Sequence, residues 1–127
     1  MSDKRYLMDL TTAVAPAEMF TVDGTEYRIL SIDHFSPSDE AGIMSLFARY
    51  AYITGVFEKE SDRQKAEKIA VEMRDLRIEM LTRITDMPAD VAGKLPLSSQ
   101  HLLIKHMEDD MEEKGLTEKK EDAEDAS

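Results

Sequence analysis

The strongest constraint on the fold of this chain is the three- and four-residue spacing of apolar residues in two long stretches. Residues spaced in this way lie on one face of an α-helix, so each stretch forms one apolar stripe. The first stripe contains Ile43, Leu46, Phe47, Tyr50, Ile53 and Phe57. The second contains Ala66, Ile69, Ala70, Met73, Leu76, Met80, Leu81 and Ile84. The sequence therefore predicts a mainly α-helical protein with two long amphipathic helices.

Signals for helix termini stand where these stripes begin and end. Ser36 is a good N-cap, Pro37 suits the first helical position, and Asp39 is favoured near the positive end of the helix dipole. Ser61 and Gln64 have the spacing of a capping box and predict the start of the second helix. We expect the second helix to end near Thr85.

Two prolines divide the remaining chain into shorter helices. A short helix is expected from Pro88 to Lys94, and a new start at Ser98, where Leu97 and Leu102 have the spacing of a hydrophobic staple. The final helix should run from about Ser99 to Lys114 and stop at Gly115. Its last turns are acidic and oppose the helix dipole, which predicts fraying unless a partner supplies positive charge. The residues concerned are Asp109, Asp110, Glu112 and Glu113.

A β-hairpin is predicted before the first long helix. The segments 20–22 and 25–30 flank Asp23-Gly24, a dipeptide that accepts the positive φ angles of a two-residue type I′ turn. Alternation along the second strand puts Tyr27 and Ile29 on one face, which helices can cover. The expected fold class is thus mainly α (α+β): a small N-terminal hairpin followed by three to four helices and an acidic disordered C-terminal tail.

Charge and apolar content divide the chain into three parts. Residues 1–16 form an N-terminal arm, 17–115 a single helical domain with the hairpin, and 116–127 a disordered acidic tail. The formal charge of the chain is −11. From Glu108 onward ten acidic residues face only three lysines. Such a surface repels phosphate backbones, so we expect no direct binding to nucleic acid.

Neither a compartment signal nor catalytic chemistry stands out. The chain has no Cys, no apolar run of membrane-spanning length and no continuous apolar run of signal-peptide type at its start, so the expected location is the cytoplasm. His101 and His106 are five residues apart, which is unsuitable for two metal ligands on one helical face. Asp33-His34 has no accompanying nucleophile signature, and the five glycines stand singly. We expect no enzyme activity, no cofactor, no metal site and no membrane contact.

Methionine is abundant, with nine residues in 127. Met73, Met80, Met107 and Met111 lie on predicted apolar faces, where the thioether can fill the core or adapt to varied apolar partners. Both interpretations remain open. The residues expected to bind other proteins are Ile43, Leu46, Phe47, Tyr50, Met73, Met80, Leu103, Met107 and Met111.

The order of these elements resembles one family. The segments that carry the likeness are the hairpin from Phe20 to Ile29, the helix start at Ser36-Pro37-Ser38-Asp39-Glu40, the long charged helix, Met87-Pro88-Ala89-Asp90-Val91 and the stretch from Leu97 to Leu103. Together they are similar to the tail assembly chaperones of long-tailed (siphovirus-type) bacteriophages, over about Phe20 to Met107. The match consists of apolar positions and turns, without a catalytic motif.

The resemblance implies a late phage or prophage protein of the bacterial host cytoplasm. It would coat the long tape measure protein, help to recruit tail tube subunits, and be absent from the mature virion. Self-association into a ring or spiral is expected, because the client is far longer than one domain. In this family a ribosomal frameshift produces a longer form. The codons of Glu118, Lys119 and Lys120 could include the slippery heptamer A-AAA-AAG, so these residues mark a possible frameshift site.

A protein of a different class is the alternative hypothesis. An acidic inhibitor could mimic nucleic acid and block a DNA-binding protein by presenting carboxylates at phosphate-like spacing. The second long helix mixes both signs of charge, and the acidic excess lies in the tail. This pattern favours the chaperone over the mimic.

Overall fold

The computed structural model describes residues 7–8 and 14–116. Two strands, β1 (Glu18–Val22) and β2 (Thr25–Ile29), precede a 3-10 helix (Ile32–His34). Four α-helices follow: α1 (Pro37–Lys59), α2 (Arg63–Ile84), α3 (Ala89–Lys94) and α4 (Leu97–Glu113). The predicted fold class, mainly helical with an N-terminal hairpin, is confirmed. The tail residues 117–127 and much of the predicted N-terminal arm lie outside the described residues.

The hairpin has the predicted turn and an additional attachment to α2. Asp23 and Gly24 have φ angles of 50° and 85°, as a type I′ turn requires. Beyond the hairpin, Ile29 forms an antiparallel bridge with Thr85, and the Leu30 amide donates to the Ile84 carbonyl at 2.8 Å. An isolated two-stranded hairpin is only marginally stable. These backbone contacts with the end of α2 therefore help to hold the hairpin in place.

The turn glycine provides a test of this backbone geometry. Gly24→Ala should lower the free energy of unfolding by about 1 kcal/mol, because an alanine is strained at positive φ even though no atom lies within 4 Å of the added Cβ. Gly55→Ala, in the interior of α1 and equally free of clashes, should instead raise it by up to about 1 kcal/mol. Urea unfolding of both variants measures the difference. Equal effects of the two substitutions would contradict the assigned turn.

The helices α1 and α2 form an antiparallel pair. Gly42 lies beside Arg83, and Arg49 donates to Glu72 at 2.7 Å, so the start of one helix lies near the end of the other. Ser36 caps α1 as predicted. The predicted Ser61 cap of α2 is wrong. The Asp62 carboxylate accepts hydrogen bonds from the amides of residues 64 and 65, because it offers a charged acceptor to the positive end of the helix.

The start of α4 also differs from the prediction. The helix begins at Leu97 with Pro96 as its N-cap, and no side chain caps it. Pro96 has a non-helical backbone, with φ −57° and ψ 152°, and its carbonyl accepts from the amides of Ser99 and Gln100. Leu97 and Leu102 are 52% and 73% exposed, so the predicted hydrophobic staple is not supported. The short helix α3 lies within the predicted range from Pro88 to Lys94.

One apolar core joins all four helices and the 3-10 helix. Its buried members are Ile32, Ile43, Met80, Leu81, Ile84, Met87, Ala92, Ile104, Met107 and Met111. Phe20, Val22 and Tyr27 of the hairpin pack against this core. The C-terminal part of the second predicted apolar stripe, with Met80, Leu81 and Ile84, therefore supplies the centre of the domain. Earlier in the same stripe Ala70 is exposed, so its predicted place on a covered apolar face is wrong.

The acidic end of α4 is anchored, which corrects the prediction that it frays. The Asp110 carboxylate accepts from the Ile32 amide at 2.7 Å, the Ser31 hydroxyl at 2.9 Å and the Lys114 ammonium at 2.7 Å. After α4, Gly115 has φ 77°, and the amides of Gly115 and Leu116 bond back to residues 112 and 111. These bonds form a Schellman motif at the predicted stop. Positive charge is thus supplied from within the chain.

Candidate protein-binding groove

A groove of about 930 Å³ runs along the domain between α1 and α4. The α1 wall contains Met44, Phe47, Ala48, Tyr50, Ala51 and Thr54, and Met73 and Arg77 of α2 lie between the walls. The α4 wall contains Leu97, His101, Ile104, Lys105, Glu108, Asp109, Met111 and Glu112. The groove exists because α1 and α4 both pack on α2, which keeps them apart on this side of the domain.

The base of the groove is apolar but contains one polar network. Arg77 donates to the Gln100 side chain at 2.8 Å and to the Tyr50 hydroxyl at 3.3 Å. Gln100 is only 3% exposed, and its amide donates to the carbonyls of Ala92 and Leu95. A buried amide must have such partners, because an unsatisfied donor is costly. The network joins α1, α2 and α4 and fixes the spacing of the groove walls.

The α4 edge of the groove is acidic. Asp109 and Glu112 lie along it with Glu108, and Lys105 partly balances them through an ion pair with Asp109 at 3.4 Å. The α1 wall presents two exposed small residues, Ala48 and Ala51. Small side chains on one wall leave room for an inserted side chain, and carboxylates on the other attract positive charge. The groove therefore suits an apolar segment that carries basic residues.

The structure divides the nine predicted protein-binding residues between the core and this groove. Ile43, Met80 and Met107 are 0% exposed, so in this conformation they contact only the protein itself. Leu46 and Leu103 are half-buried against the core but do not line the groove. The residues that the structure brings together in the groove are Phe47, Tyr50, Met73 and Met111, of which Met111 is only 2% exposed and belongs to the core as well. Partner binding by these four remains a prediction.

Several groove residues are not apparent from the sequence. Ala48 and Ala51 are one turn apart on the α1 wall, but alanine contributes only weakly to an apolar pattern. Arg77 looked like one more surface charge of a mixed-sign helix. Its role depends on Gln100, 23 residues away, and no periodic pattern reports that contact. Ile104 follows Leu103 and could have been found from its spacing to Met107 and Met111.

The residues considered for other chemistry have structural contacts. His34 accepts from the Ser31 amide through Nδ1, so its Nε2 donates to the Ala15 carbonyl at 2.7 Å. His101 lines the groove, whereas His106 lies 3.6 Å from Glu18. Within residues 7–8 and 14–116, no group of three or more metal-ligating side chains is gathered. Within the same residues, no helix is long and apolar enough to cross a membrane.

Comparisons with known proteins give no relative for this chain. No family model, no curated protein and no solved structure matches it significantly.

Proposed function

We propose that this protein is a tail assembly chaperone of a long-tailed bacteriophage or prophage. In this role it binds and coats the tape measure protein and helps to recruit tail tube subunits in the host cytoplasm. The observation that carries the proposal is the open groove between α1 and α4, which combines an apolar base with a charged edge. The resemblance in the order of the hairpin and helices supplies the biological context.

A helical client fits the chemistry of this groove. An amphipathic helix binds such a groove by inserting apolar side chains spaced three or four residues apart. Phe47, Met44 and Met73 offer partly exposed apolar contacts, and the unbranched methionines can adapt to side chains of different shape. The tape measure proteins of long-tailed phages are long helical chains with apolar stripes. Many copies of this domain, in a ring or a spiral, would cover such a client along its length.

The charges of the described helices support a protein client more than nucleic-acid mimicry. Arg49 bonds to Glu72, Arg63 to Glu67 and Arg83 to Glu79. A mimic needs carboxylates free to replace phosphates, whereas on these helices basic partners hold many of them. The mixed surface keeps a complex with an apolar client in solution without favouring one highly charged partner.

Co-expression with the client tests the proposal. The tape measure protein of the same phage or prophage should aggregate when produced alone. It should remain in solution, and purify together with this protein, when the two are produced together. A tape measure protein from an unrelated phage is the control. Aggregation of the matched client despite an excess of this protein would contradict the proposed function.

The gene provides an independent prediction. If Glu118, Lys119 and Lys120 are encoded by GAA-AAA-AAG, the run A-AAA-AAG allows two tRNAs to slip back by one base. Expression of the native gene with its downstream frame should then yield the 127-residue chain and a minor longer product. Synonymous codons that remove the heptamer should abolish the longer product. A gene without such a heptamer, and without a longer product, would exclude frameshifting at this site.

A further inference from the structure

The N-terminal segment 1–13 contains both apolar and basic residues, the two kinds of side chain that suit the groove. The two basic residues of the segment, Lys4 and Arg5, are adjacent, and its two acidic residues, Asp3 and Asp9, are apart from each other. The apolar residues Tyr6, Leu7, Met8 and Leu10 follow the basic pair. Leu7 and Met8 are 90% and 58% exposed in the structure, so these two side chains have little contact with their own domain. Burying a leucine or methionine side chain gains roughly 1.5–3 kcal/mol, so binding of these side chains to an accessible apolar surface is favourable.

The groove and this segment are complementary in polarity, and the adjacent pair Lys4-Arg5 complements the acidic edge of the groove. Phe47, Met44 and Met73 offer partly exposed apolar surface, and Asp109 and Glu112 place carboxylates along one edge. Insertion of the apolar residues would bring Lys4 and Arg5 within reach of this acidic edge. Opposite charges at an interface fix the direction and register of the bound segment more than they raise its affinity.

The chain leaves its own domain on the far side of α4. Ala15 is held by His34, and Glu18 lies 3.6 Å from His106. Successive residues of an α-helix are about 100° apart, so His106 and Asp110 lie on the face of α4 opposite Glu108, which lines the groove. To enter its own groove the segment would have to pass around α4. The groove of a neighbouring copy has no such obstacle.

We propose that residues 1–13 of one copy bind the groove between α1 and α4 of a second copy. A contact of this head-to-tail kind links copies into rings or open chains. Because client and segment would use the same groove, the segment also acts as a competitor that the client displaces. Only this last consequence rests on the proposed function; the contact between copies does not.

Paramagnetic NMR tests the contact in the full chain. The protein has no cysteine, so Thr11→Cys gives a single site for a nitroxide spin label and leaves the apolar residues of the segment unchanged. The labelled protein, without isotope enrichment, is mixed with ¹⁵N-enriched wild type at equal concentration. Only contacts between copies then broaden the ¹⁵N signals.

The expected result is selective loss of intensity for amides of the groove walls, including those of Ala48, Ala51 and Lys105. The amide of Gly24, in the hairpin turn and outside the groove lining, should keep its intensity. Absence of broadening in the groove, or equal broadening at Gly24, would overturn the proposal. The proposal would also be overturned if the groove signals broadened only when the spin label and the ¹⁵N isotope are in the same chain.

Charge reversal provides a second test with the same spin label. Lys4→Glu combined with Arg5→Glu should weaken the broadening, and addition of Glu112→Lys to the ¹⁵N-enriched partner should restore part of it. Added salt should weaken the contact in the wild type, because exposed charges are screened. Unchanged broadening in the charge-reversed protein would show that the segment does not bind in the proposed direction. Failure of these tests would leave the client experiment above unaffected, so the two proposals can fail separately.

Discussion

Met107→Ala should lower the free energy of unfolding by about 2–5 kcal/mol, the range for truncation of a large side chain in a packed core. Met107 is 0% exposed and belongs to the same core cluster as Ile43 and Met80. Loss of its side chain leaves a cavity that surrounding helices can only partly fill. Urea or thermal unfolding followed by circular dichroism measures the change.

Met73→Ala is the matched control, because Met73 is a half-buried residue of the groove. This substitution should lower the free energy of unfolding by only about 1 kcal/mol, since much of the apolar surface of Met73 is already in contact with water. Comparable losses for the two methionines would contradict the division between core and groove residues. This comparison also separates stability from client binding, for which Met73 is the candidate.

Asp110→Ala is expected to lower the free energy of unfolding by about 2–3 kcal/mol, because it leaves the buried Ile32 amide without its acceptor. The Asp110 side chain is 15% exposed and accepts from Ile32, Ser31 and Lys114. Asp109→Ala is the control: Asp109 is largely exposed, and its pair with Lys105 should be worth less than about 0.5 kcal/mol. Equal effects of both substitutions would contradict the anchoring role of Asp110.

The stabilisation by Asp110 should depend on pH in a defined direction. Burial alone would raise the pKa of Asp110, but the hydrogen bonds from Lys114, Ile32 and Ser31 outweigh burial and hold the pKa below its usual value. A group with a lowered folded-state pKa stabilises the fold above its unfolded-state pKa and loses this contribution as the pH falls through the folded value.

The difference in stability between wild type and Asp110→Ala should therefore be full at pH 7 and shrink as the pH falls below about 4. At the alkaline end, the hydrogen bond to Asp110 raises the pKa of Lys114 above its usual value. The contribution of Lys114 is consequently retained until the pH rises through that higher pKa. Unfolding curves for both proteins across this range measure the effect. A difference that grows towards acidic pH would contradict the assignment.

The periodic parts of this fold could be predicted from sequence. The stripes of α1 and α2, the Asp23-Gly24 turn and the Gly115 stop depend on residues close together in the chain, whose local preferences agree with the final structure. The start of α4 could not be predicted in the same way. The prediction relies on side-chain capping, whereas this helix begins at Leu97 with only the Pro96 carbonyl accepting from the amides of Ser99 and Gln100.

The groove was only partly predictable for a related reason. Periodicity identifies the apolar face of each helix, but it does not distinguish the centre of that face from its margin. Met107 and Met111 share one line on α4 and are both buried in the core, yet only Met111 also lines the groove. Similarly, Asp110 appeared to weaken α4 until its partners Ser31 and Ile32, 79 and 78 residues away, were visible.

The proposed function requires that the groove between α1 and α4 hold an apolar-striped helical client. The most direct measurement is calorimetric titration of a helical fragment of the tape measure protein into wild type, Ala51→Glu and Ala89→Glu. Both alanines are exposed and helical, but only Ala51 lines the groove, and Ala89 lies on the separate helix α3. A carboxylate at position 51 would be buried without a partner by the bound client, so affinity should fall by at least about tenfold, while Ala89→Glu should bind like wild type. Equal affinities for all three proteins would contradict the account.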